Sequence, residues 1–228
     1  MSEGSEPAAR LTSILLEGGA GSIDALIQER GEAPQPIAAI VLHPHPLYGG
    51  TLHNKVVHRV AGTMTEMGAA VLRINFRGVG KSEGVHDRGE GELDDARLAL
   101  HWLAARHPGA RLWVAGFSFG SWVASRLAAS ESGVEQLLLI APPVHTQSFA
   151  EMRTSPIPKR IVQGLADDIC RPERLVQEMA SWAMPRQLLE VEGATHFFDK
   201  QLQELGNAVH ESLSAPLGAS TRGPTTLS

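Results

Sequence analysis

The sequence predicts an α/β domain built on a mostly parallel, eight-stranded sheet with helices on both faces. Three observations lead there. Short apolar, β-branched runs alternate with longer segments of helical period along most of the chain. Six of those runs are almost continuously apolar, as strands covered on both faces require. The 228 residues, 43% of them hydrophobic, suffice for one large domain with a substantial core.

The elements follow in order. LTSILLEG (11–18) and SIDALIQER (22–30), joined by Gly19, Ala20 and Gly21, read as an opening hairpin, the second strand alternating apolar with polar residues. IAAIVLHP (37–44), AAVLRINF (69–76), RLWVAGF (111–117), VEQLLLIAP (134–142), KRIVQGL (159–165) and RQLLEVEG (186–193) supply the six buried strands. Helical periods lie at 53–68, 92–107, 119–130, 173–182 and 198–213. Glu92, Asp94 and Asp95 suit the start of the second helix, where negative charge meets the positive end of the dipole. Right-handed crossovers would gather the loops that enter these helices at the carboxyl ends of the strands, where open α/β sheets place their ligand sites. The domain should span residues 10–213. Residues 1–9 and 214–228, rich in small and polar residues with little to bury, should be loose.

Composition excludes several classes. Twenty Lys and Arg against 25 Asp and Glu give a formal charge of −5, which offers no basic field for nucleic acid. Cys170 is the only cysteine, so no intramolecular disulfide can form. The start, MSEGSEPAAR, has no apolar leader core, and no run approaches a membrane span, so a cytoplasmic protein without a membrane partner is expected.

Chemistry concentrates in VAGFSFGS (114–121), where Ser118 sits between a strand and a helix and Gly116 and Gly120 flank it. A G-x-S-x-G match alone is weak, but this context is the one a nucleophile elbow needs: a strained turn, with glycines where side chains would collide. The helix behind it would aim N–H groups at an oxyanion. The bland alternative is a packed turn in which Ser118 caps its helix. A serine nucleophile requires a base, and the base requires a group that fixes its tautomer. Asp167 and Asp168 follow the strand KRIVQGL, and His196 follows RQLLEVEG, which gives the order Ser, Asp, His at three strand ends.

With these motifs the chain resembles the α/β-hydrolase superfamily, and within it the small lidless carboxylesterase and dienelactone-hydrolase-like branch, over residues 11–213. GFSFG is similar to the nucleophile elbow, QGLADDICRP to the acid loop, GATHFF to the histidine loop and NFRGVGKSEG to the loop after the fourth strand. The resemblance implies an α/β-hydrolase fold without a cap, since only about sixteen residues separate Pro142 from Lys159. It implies a triad of Ser118, Asp167 and His196, with Asp168 as the fallback acid, and no metal or organic cofactor. Half of the oxyanion hole would be the backbone N–H of Phe119. The other half falls in VLHPHPLYGG (41–50), which departs from the commoner His-Gly opening; Pro44 and Pro46 have no N–H, so the donor is His45 or Leu47, with His45 favoured by position. Small soluble acyl esters are the implied substrates; a lactonase, thioesterase or peptidase would use the same triad, and a non-catalytic binding protein could keep the fold.

Other residues divide between site and scaffold. Tyr48, Phe117 and Leu47 are candidates to line an acyl pocket. His43, His45, His53 and His58 crowd one stretch, yet no Asp, Glu or Cys there completes a ligand set, so packing and bracing are the expected roles and no metal is. Arg77 should tie down its own loop. Trp102, Trp113, Trp122 and Trp182 should pack in the core or between helices. Cys170 lacks the elbow a nucleophile needs.

Overall fold

The computed structural model describes residues 8–31, 34–215 and 217. The expectations for the two tails fall largely on residues outside these, while regular structure runs from Ala9 to Ser214, one residue past each expected domain boundary. Eight strands form a single sheet: β1 (Ala9–Gly18), β2 (Gly21–Arg30), β3 (Ile37–Leu42), β4 (Ala69–Ile74), β5 (Arg111–Phe117), β6 (Val134–Ile140), β7 (Lys159–Gly164) and β8 (Arg186–Val191). The helices are α1 (Lys55–Glu66), α2 (Glu90–Arg106), α3 (Phe119–Ser130), α4 (Pro172–Met179) and α5 (Leu202–Ser214).

The strand order is β1-β2-β4-β3-β5-β6-β7-β8. The β1–β2 hairpin and the β2–β4 pairing are antiparallel; every other pairing is parallel. Alternation in the central strand divides the core. Ala38, Ile40 and Leu42 face the layer built with α2 and α3, through Leu93, Leu100, Val123 and Leu127. Ile37, Ala39 and Val41 face the layer of α1 and α5, through Val56, Val60, Leu205 and Val209. Both faces of β3 are therefore apolar and the strand reads as an unbroken hydrophobic run.

Five strands end earlier than expected: β3 at Leu42, β4 at Ile74, β6 at Ile140, β7 at Gly164 and β8 at Val191, because the following residues leave the sheet to build loops at its carboxyl edge. Ala141, with φ of 46°, marks one such departure. α1 starts at Lys55 rather than 53, where the Asn54 side chain accepts the Val56 N–H at 2.9 Å as an N-cap. α5 starts four residues later than expected, since Phe198 and Lys200 adopt positive φ values of 51° and 63° that no helix accommodates. Residues 141–158, between β6 and β7, hold only a short 3₁₀ helix, Ala150–Arg153, so no cap covers the sheet edge. Trp182 stacks on Phe149 with ring centres 5.6 Å apart, and Trp113 is buried; both are scaffold. Among the described residues no helix is long and apolar enough to cross a membrane.

Because Ile40 lies at the centre of the sheet with no exposed surface, Ile40→Ala should lower the free energy of unfolding by about 2–5 kcal/mol. Leu11→Ala, on the edge strand with 54% of its surface exposed, should change it by no more than about 0.5 kcal/mol. Urea unfolding of the two variants checks this pair.

Candidate functional site

Four loops meet at the carboxyl edge of the sheet, after β3, β5, β7 and β8. Ser118 sits on the β5–α3 turn with φ of 52° and ψ of −120°, a conformation costly for any residue with a side chain. Hydrogen bonds hold it there. Its N–H donates to Ile140 O at 2.9 Å, and its carbonyl accepts from the Ser121 N–H at 2.8 Å and the Ser121 hydroxyl at 2.6 Å. The turn is tight enough to dictate its flanks: a Cβ on Gly116 would come within 2.1 Å of Gly120 O, and one on Gly120 within 2.4 Å of Leu42 O. As the N-cap, Ser118 makes no side-chain cap bond, which removes the bland reading of this hydroxyl as a helix cap.

Asp167 and His196 form the second part. His196 Nδ1 donates to Asp167 Oδ2 at 2.8 Å, and both residues are buried. This bond directs the lone pair of Nε2 away from the acid. The carboxylate is held by three further donors: the Ile169 N–H at 3.0 Å and the Cys170 N–H at 2.7 Å reach Oδ1, and Gln163 Nε2 reaches Oδ2 at 3.0 Å. Asp168 is exposed and makes no such contact, so the choice between the two acids falls to Asp167. Gln163 and the two amides gave no signal in the sequence.

Cys170 was also missed. Its buried thiol contacts the Ser118 hydroxyl, and its sulphur lies within 4.8 Å of the ligating atoms of Asp167 and His196. Burial, reinforced by the Asp167 charge, pushes the thiol pKa far up, so the sulphur stays protonated. With both Asp167 oxygens already taken by N–H groups, Asp167, Cys170 and His196 are poorly suited to a cation.

The loop after β3 supplies the remaining wall. His45 precedes a 3₁₀ turn, Pro46–Tyr48, and its Nδ1 accepts the Leu47 N–H at 3.2 Å. That bond occupies Leu47 and leaves the His45 N–H as the better candidate donor. The His45 ring packs on Phe119 at 4.8 Å, which brings together the two loops expected to shape an oxyanion hole. Gly50 closes the turn, its N–H donating to His45 O at 3.1 Å; a Cβ there would strike Pro44 O. The loop is pinned from β4: Asn75 Oδ1 accepts the Leu52 N–H at 2.8 Å, and Arg73 Nη1 donates to Leu52 O at 3.1 Å.

His43 is the deepest brace. Its Nε2 accepts the Phe76 N–H at 3.0 Å, and its Nδ1 donates to Pro44 O at 2.6 Å. Both nitrogens are thus committed, which rules His43 out as a metal ligand. Burial lowers its pKa from 6.5 to about 4 and keeps the ring neutral. His86 is a further residue that sequence reasoning did not find. It lies 2.7 Å from the buried carboxylate of Glu92 and 5.0 Å, ring to ring, from His45. Glu92 also accepts the N–H of Asp87 and of Gly89, tying down the turn that enters α2. Arg77 ties its loop as expected, by a bidentate pair with Asp95 whose shortest bond is 2.8 Å.

The candidate pocket residues part company. Tyr48 and Leu47 lie on the open rim, 87% and 69% exposed. Phe117 does not. It is 1% exposed and packs beneath His196, ring centres 5.0 Å apart, so the expected pocket place is corrected to a supporting one. Residue 117 ends a strand and its side chain takes the face covered by α1 and α5.

Comparison with known proteins follows this geometry. Residues 35–203 match the family described as serine aminopeptidase, S33. The chain is 36% identical over 214 residues to an uncharacterised protein of Rickettsia prowazekii, covering 89% of each. Among solved structures it is similar to an α/β serine hydrolase homologue from Coxiella burnetii, with 35% identity, 89% of this chain and 97% of the other covered, and a TM-score of 0.83. It is similar also to an α/β serine hydrolase without a lid from Xanthomonas campestris, with 34% identity, 92% and 97% coverage and a TM-score of 0.83.

The depressed His43 pKa has a consequence for stability. Between about 6.5 and 4 the unfolded chain takes up a proton that the native state refuses, so stability falls as pH falls through that window. His43 alone should remove about 2 kcal/mol between pH 7 and pH 5. Urea unfolding at both pH values should show His43→Gln less stable than wild type at pH 7 but with this part of the acid dependence gone.

Proposed function

Since the chain belongs to the serine aminopeptidase, S33 family of α/β serine hydrolases, we propose that it is a carboxylesterase that cleaves small, soluble acyl esters through an acyl-enzyme on Ser118. The strained Ser118 turn set beside the buried Asp167–His196 pair is the observation that carries this reading. In the first step the Ser118 hydroxyl turns to His196, Oγ attacks the ester carbonyl, and the proton passes to Nε2. Asp167 holds the imidazole and balances its charge. The backbone N–H groups of Phe119 and His45 bind the oxyanion. The alcohol departs with the proton from His196. Water then attacks the acyl group, gives its proton to His196, and the acid is released as Ser118 recovers its hydrogen.

The absence of a cap over residues 141–158 and the open rim of Leu47 and Tyr48 favour short, soluble acyl groups over long lipids. A peptidase would use the same triad, and the matched family carries a peptidase's name. A lactonase or thioesterase would share every step with the ester reading.

Wild type should hydrolyse nitrophenyl acetate and butyrate, and a fluorophosphonate should label Ser118. Ser118→Ala should lose at least about 1,000-fold in kcat. Failure of wild type on every ester together with an unlabelled Ser118 would sink the reading. His196→Ala should lose at least about 1,000-fold in kcat, and a variant that keeps wild-type turnover would remove His196 as the base. Gln163→Ala should lower kcat about tenfold with KM little changed, because it loosens the acid without touching substrate; stopped assays over a range of substrate concentrations separate the two.

A further inference from the structure

Two clefts compete for attention outside the residues assigned above. The larger, about 470 Å³, lies along β8 and α5 and is lined by Glu190, Glu192, Glu204 and Glu211, away from Ser118, Asp167 and His196. The smaller, about 340 Å³, lies between the loop that follows β6 and the acid loop. Its lining is His145, Asp168, Ile169, Arg171 and Arg174. That volume is in the range of small-ligand sites.

The smaller cleft lies at the carboxyl edge of the sheet, the edge that carries Ser118. One wall belongs to the loop leaving β6, whose last residue, Ile140, accepts the Ser118 N–H. The other contains Ile169 and Arg171, the chain neighbours of Cys170, whose sulphur lies within 4.8 Å of the ligating atoms of Asp167 and His196. Its charges are also unspent. Among the described residues neither Arg171 nor Arg174 forms a salt bridge or a side-chain hydrogen bond, and Asp168 pairs with neither. Arg97, Arg106, Arg126 and Arg153, by contrast, are paired with carboxylates. Two permanently charged guanidinium groups thus stand unpaired where the acid loop runs into α4, in a chain whose net charge is −5.

We propose that this cleft is a subsite for a carboxylate carried by the ester substrate, with Arg171 and Arg174 as its specificity-determining residues. The inference rests on the ester reading above. Two arginines set against Asp168 leave one net positive charge, which matches a monoanionic carboxylate better than a doubly charged phosphate. Exposed Ile169 gives the apolar surface that the short chain between ester and carboxylate would cross, and His145 offers a ring N–H on the opposite wall. The preferred substrates are therefore half-esters of short dicarboxylic acids.

The test compares monomethyl glutarate with methyl valerate, a neutral ester of similar length, by proton release. Wild type should show a kcat/KM about 3–10-fold higher for the charged ester, expressed mainly in KM, and the preference should shrink as salt is added. Arg171→Gln with Arg174→Gln should abolish the preference while leaving hydrolysis of methyl valerate and nitrophenyl butyrate within about twofold. Equal kcat/KM for the two esters in wild type would overturn the proposal, as would a preference that survives the double substitution. If no ester is hydrolysed at all, the ester reading fails, and calorimetric titration of Ser118→Ala with monomethyl glutarate still decides the subsite. Binding that disappears when both arginines are replaced supports it; no binding, or inorganic phosphate binding more tightly, overturns it.

Discussion

The site depends on one close approach: the start of α3 lies against the ends of β3 and β5 with backbone touching backbone. Gly116 and Gly120 are where that contact is made, each with a main-chain oxygen where its Cβ would stand. The approach forces the positive φ of Ser118, holds the N–H of Phe119 near the loop after β3, and sets the height at which His196 must arrive. The strain is sustained because β5 is flanked by β3 and β6, both buried, and the Ser118 N–H is bonded to the second of these. The reactive geometry is a property of the sheet's centre rather than of the loop alone.

Around that fixed point the other loops are held by polar groups the solvent does not reach. His43, Arg73 and Asn75 connect the loop after β3 to the end of β4, and Gln163 connects the acid to β7. Each satisfies backbone or carboxylate groups that would otherwise be buried without partners, at a cost of roughly 1–3 kcal/mol apiece. The neutral state of His43 belongs to this economy: a proton on its ring would find the Phe76 N–H already pointing at it. The irregular segments therefore have the rigidity of secondary structure without its regularity.

Much of this was legible in the sequence, for identifiable reasons. Strands such as β3 and β5 announce themselves because burial on both faces makes every residue apolar. Ser118, Asp167 and His196 could be aligned because parallel strands deliver their following loops to one edge, so position along the chain becomes position in space. What stayed hidden depends on facing and distance. Phe117 differs from a pocket residue only by the side of β5 it occupies. Gln163 and Cys170 act across a loop whose path no local pattern encodes, and His86 meets Glu92 through a turn fixed by several left-handed residues, among them Arg88 and Gly89. Pro44 and Pro46 were informative by subtraction, since a missing N–H narrows the choice of donor; the bond from Leu47 to the His45 ring narrows it further, and only coordinates reveal it.

Cys170 gives the molecule an internal clock. It is the chain's only thiol, it is buried, and the neighbouring carboxylate and low polarity keep it in its unreactive form. Alkylating reagents reach a buried thiol only through local opening of the structure around it, so the pace of its modification measures that opening. An intact population would report slow, opening-limited labelling, and a ligand that seals the loops would slow it further. The site formed by Asp167, Cys170 and His196 thus contains its own probe of local opening, with no label needing to be introduced.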